Sequence, residues 1–120
     1  MIKKDSLVFI EYISENIANI ELFMKDVSKH SFLKNKEKQN AVIRSIEILG
    51  EAVKNLSNSF REKHPSIPWK DIVGMRDKLI HHYFGVDLNA VWKFVKEDLP
   101  KLKKQIEKIK KDLEMLTKKN

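Results

Sequence analysis

Apolar side chains recur every three or four residues through almost all of this chain, a spacing that fits helices and not strands. Leu7, Ile10, Ile13, Ile17, Ile20 and Met24 form one stripe and predict a first helix over about Asp5 to Asp26. The segment "SKHSFLKNKEK" then reads as a polar connection. Val42, Ile46, Leu49, Val53, Leu56 and Phe60 predict a second helix over about Glu37 to Lys63. Gly50 sits at the edge of that stripe, where a missing side chain would let another helix come close. A helical glycine costs about 1 kcal/mol, so a close approach is the expected compensation.

The rest of the chain is punctuated by few breakers. "HPSIPW" ends the second helix, and Pro68 suits the first turn of a third, where its missing N–H is harmless. That helix is expected from about Trp69 to Tyr83, with Gly85 as a left-handed cap. Asp87 is placed to cap a fourth helix carrying Leu88, Val91, Trp92, Val95 and Leu99. Pro100 should kink or restart it, leaving a final segment with Leu102, Ile106, Ile109, Leu113 and Leu116. With no strand pattern or repeat, the expected fold is all-α: one domain over residues 1–120, an antiparallel bundle of four to five helices.

Composition narrows the function classes. The chain is 42% hydrophobic and 34% charged, which suits a globular domain rather than a disordered segment or a membrane protein. No apolar run approaches the roughly 18 residues of a membrane span, and the N-terminus reads as lacking a signal peptide. The absence of cysteine excludes disulfides and thiolate metal sites and fits a reducing cytoplasm. The formal charge is +7, concentrated after about residue 101, where eight lysines face Glu107, Asp112 and Glu114. A lysine run without interleaved aromatics reads as a solvated helix face, although it would also attract nucleic acid or an acidic protein.

The third helix is the odd one. Ile72, Met75, Leu79, Ile80 and Tyr83 make its apolar stripe, and Arg76 falls in the middle of it. A lone guanidinium there would cost several kcal/mol, so it must meet a carboxylate, a subunit interface or an anionic ligand. Glu47 or Glu51 on the second helix would supply a structural ion pair. His81 lies about 140° round an ideal helix from Arg76, whereas Tyr83 nearly eclipses it. Either the helix loosens before "HHYFG", or Arg76 reaches around, or a second subunit completes the site. The adjacent His81 and His82 point about 100° apart with no third ligand at helical spacing, so neither metal nor cofactor is called for. His30 and His64 read as ordinary surface residues.

Arg76, four residues, His81, one residue, Tyr83 resembles the Arg-x4-His-x-Tyr motif of HepT-type toxins. These are HEPN-domain ribonucleases paired with a minimal nucleotidyltransferase antitoxin. "RSIEILGEAVKNLS" (Arg44–Ser57) resembles the second-helix stretch of that family, and Ile67–Pro100 resembles its catalytic helix and successor almost continuously. The first helix and the lysine-rich end lie outside the resemblance. The resemblance implies a catalytic pair of Arg76 and His81, with Asp77, Glu51 and Arg44 as supporting candidates. It implies that Tyr83 is the tyrosine to which the antitoxin adds AMP. His82 stands where the family often has glycine. The implied protein is a cytoplasmic homodimer that cleaves RNA without metal, as the toxin of a type VII-like pair. The alternatives are a catalytically silent HEPN module that docks a nucleotidyltransferase or nucleic acid, and a helical dimer whose Arg76 makes only a structural ion pair.

Overall fold

In the computed structural model, which describes residues 2–80 and 85–118, the chain is all-helical. Helix α1 spans Ile2–Met24, and its stripe is the backbone of the core: Ile10, Ile13, Ile17, Ile20 and Met24 are all buried. It closes at Asp26, whose φ of 59° is tolerated because a short polar side chain adopts the left-handed region at little cost. The expected polar connection is instead a short helix, α2 (Lys29–Lys34). Ser28 caps it by accepting the Ser31 N–H at 3.1 Å, and Phe32 is fully buried against the Trp92 ring. One large apolar side chain in a lysine-rich run was enough to fold that run onto the core.

The second predicted helix is divided. Helix α3 (Lys36–Asn55) ends at Leu56, which is extended, and α4 (Asn58–Glu62) restarts after it. The cause is local: the Ser57 hydroxyl accepts the Phe60 N–H at 3.1 Å, a cap that competes with continuing the helix. The break keeps both Leu56 and Phe60 on the buried side. The buried Trp69 then pins the connection, donating its indole N–H to the Arg61 and His64 carbonyls at 3.1 and 3.0 Å.

Helix α5 (Trp69–Ile80) follows Pro68 directly; the expected turn up to Tyr83 lies outside the described residues. Gly85 has the expected positive φ, 125°, and Asp87 caps α6 (Leu88–Lys93) by accepting the Ala90 N–H. Between α6 and α7 (Leu99–Lys118) the helix widens into a π-turn over Phe94–Asp98, with the Leu99 N–H donating to the Phe94 carbonyl. This is how Pro100 restarts the helix: the wider ring makes room for a residue that has no N–H to donate four residues back.

Helix α1 packs against both α3 and α7, and α5 packs against α3. The α3–α5 crossing is close because of Gly50. A methyl group there would lie 2.7 Å from Arg76 Cγ and closer still to its Cβ. Gly74, on α5, has nothing within 4 Å of such a methyl. Gly50→Ala should therefore lower unfolding free energy by about 1–3 kcal/mol through overpacking, its propensity gain notwithstanding. Gly74→Ala should raise it by about 0.5–1 kcal/mol, since only the backbone entropy term applies. Urea denaturation of the two variants checks both signs.

His64 is not a bland surface residue: it is partly buried, with its ring 4.9 Å from that of Phe60. Burial lowers its pKa from the ordinary value of about 6.5, with Lys63 acting in the same direction and the Asp112 carboxylate opposing. The unfolded chain thus takes up this proton at a higher pH than the folded one. Stability from this group is full above the ordinary histidine range and declines as pH falls through it towards the folded value. His64→Phe, which keeps an aromatic ring against Phe60, should flatten that part of a denaturation-midpoint profile against pH.

Candidate functional site

Arg76 reaches its position through its own stem. Its Cβ and Cγ lie over Gly50, so the guanidinium projects past the α3 backbone rather than away from it. The side chain is 16% exposed and is held from two directions. Nη2 pairs with the Glu51 carboxylate on α3, and Nη1 donates to Asp77 Oδ1 at 2.7 Å. Glu51, one of the two carboxylates expected, is itself half exposed; Glu47 makes no such contact. Nε is buried and has no hydrogen-bond partner among the described residues.

The guanidinium opens into a groove of about 350 Å³ where α1, α3 and α5 converge. Arg44, Glu47, Glu51 and Arg76 all line it, over apolar surface from Phe9, Ile48 and Ala52. The structure thus gathers three of the expected residues, Arg44, Glu51 and Arg76, in one place, with Asp77 bonded to the last. Arg44 is exposed and makes no ion pair among the described residues. His81 and Tyr83 lie outside the described residues, and so does the geometry that would join them to Arg76.

Helix α1 contributes to this groove, which the sequence reading had left out. Phe9 and Tyr12 both line it, and Tyr12 is 50% exposed. The available signal was Tyr12 itself: an aromatic two residues from Ile10 falls about 200° round the helix from it, on the polar face. Chemically, the site offers a planar multi-donor cation suited to phosphate, restrained on a rigid helix pair. Among the described residues no group of three or more histidine, aspartate or glutamate side chains is gathered as metal ligands would be. No helix among them is long and apolar enough to cross a membrane.

Comparison with known proteins places the chain in a family. A family model described as ribonuclease HepT-like matches residues 13–109. The chain is 50% identical over 106 residues to a Thermococcus cleftensis protein named "Probable ribonuclease HepT", covering 88% of this chain and 96% of that one. It is 48% identical over 107 residues to "Putative RNase MJ1380" of Methanocaldococcus jannaschii, covering 89% and 98%. No solved structure matches the chain. The match takes in α3, α5 and every groove residue except Phe9 and Tyr12, and the chain belongs to the HepT-like ribonuclease family.

Proposed function

We propose that this protein is a metal-independent endoribonuclease in which Arg76 and His81 carry the chemistry. The observation that supports it most is the placement of Arg76: a mostly buried guanidinium, fixed over Gly50, that faces an open groove. Membership of a ribonuclease family supplies the reaction class. RNA brings its own nucleophile, the 2′-hydroxyl, which attacks the adjacent phosphorus as the bond to the 5′-oxygen breaks. The reaction needs a proton taken from the first oxygen, a proton given to the second, and stabilisation of the charge that builds on the phosphoryl oxygens. A histidine titrating near neutrality serves as base or acid. Arg76 clamps the phosphate and stabilises the transition state. A homodimer in which two α5 helices wall one cleft would supply two histidines, one for each proton.

In this reading the chain is a cytoplasmic toxin, and its partner is a minimal nucleotidyltransferase that adds AMP to Tyr83. A bulky anion tethered there competes with RNA for the same guanidinium and blocks the cleft. The Arg76–Glu51 pair favours a second reading, in which the protein is a helical dimer whose guanidinium makes only a structural ion pair.

Activity separates the two. RNA cleavage should persist in EDTA and fall about 10²–10⁴-fold in His81→Ala. Arg76→Lys should lose about 10²-fold or more, because an ammonium does not reproduce the planar fork. Cleavage that vanishes in chelator and returns with magnesium contradicts the mechanism. A folded Arg76→Lys protein with wild-type activity would promote the structural reading. Co-expression with the cognate nucleotidyltransferase should add the mass of AMP to Tyr83 and silence cleavage, whereas Tyr83→Phe should escape; intact-mass and peptide mass spectrometry check both.

A further inference from the structure

The groove beside Arg76 is larger than one phosphate needs, and its far end is furnished. Arg44 precedes Gly50 by six residues, which separates the two arginine positions by about 9 Å along α3. The same groove is lined by Phe9, Ile48 and the half-exposed Tyr12. Neither Arg44 nor Glu47 nor the Tyr12 hydroxyl has a partner among the described residues.

We propose that this groove is a nucleotide subsite for single-stranded RNA, in which a base stacks on Tyr12 and a neighbouring phosphate pairs with Arg44. The proposal rests on the ribonuclease reading of Arg76 and extends it to a second point of contact. Each element of the groove suits one part of a nucleotide. A half-exposed aromatic ring in a groove with apolar lining suits the flat face of any base. A free guanidinium takes backbone phosphate, and two arginines lining one groove from neighbouring helices can hold successive positions of an unpaired strand. Glu47 accepts hydrogen bonds only, so it suits the N–H donors of a base edge and turns phosphate away towards Arg44.

The test is binding rather than turnover. In a His81→Ala background, which retains RNA uncut, fluorescein-labelled single-stranded RNA of random sequence is titrated by fluorescence anisotropy across a range of KCl concentrations. Tyr12→Leu, which keeps apolar bulk but not a stacking face, should weaken binding about tenfold, and Tyr12→Phe should recover most of that loss. Arg44→Ala should lower the slope of log affinity against log salt by about 0.7, the value of one phosphate contact on a single strand. Unchanged affinity in Tyr12→Leu overturns the proposal. So does an unchanged slope in Arg44→Ala, whose exposed position leaves folding intact. If Tyr12→Leu instead shifts the protein to a smaller species in sedimentation, the surface is a contact between copies and the subsite is wrong. Should the His81-intact chain cleave RNA while these variants bind normally, the subsite alone fails. If that chain neither binds nor cleaves RNA, the ribonuclease reading fails and the subsite with it.

Discussion

Arg76 is placed by an absence: Gly50 has no side chain, and the arginine stem occupies the space that one would fill. Helices α3 and α5 come together over that contact, so the site and the packing of the bundle share one dependence. A guanidinium at this depth would be costly if unpaired, and Glu51 and Asp77 meet that cost on two of its nitrogens. The glycine in turn explains its own helix penalty, since the close crossing is what it allows.

The same contact sets how firmly the guanidinium is held. Its stem is clamped by packing, but its Glu51 partner is half exposed, and pairs of that kind contribute only about 0–1 kcal/mol. Position is thus fixed by van der Waals contact, while charge is balanced by a carboxylate that is itself half exposed. A rigid stem with a half-exposed counter-charge is what the proposed phosphate-binding role requires. Placing the residue on a helix rather than a loop adds to that rigidity.

The helical stripes were legible because burial follows period: in α1 and α3–α4, eleven of the twelve predicted stripe residues are buried, Leu7 being partly so. What was misread were places where a short polar interaction overrode the period. Ser57 stopped a helix that the apolar spacing would have continued, and Ser28 started one where lysines suggested a loop. Both are hydroxyl caps, whose strength depends on one backbone geometry and hardly alters composition. At Pro100 the break was foreseen, but not that a π-turn would absorb it, because ring width is not written in residue order.

Sequence by itself determined the fold class, the helix that carries the site, and the conflict at Arg76, because each follows from side-chain period on a single helix. It also marked Gly50, whose cost demanded a neighbour, and it narrowed the carboxylate partner to two. Only the tertiary structure chose Glu51 over Glu47, set the Arg76 stem on Gly50, and brought Phe9 and Tyr12 from α1 to the same groove as Arg44. The reason is distance along the chain. Contacts within one helix are dictated by 100° steps, whereas contacts between helices depend on crossing angle and depth, which the whole core decides together.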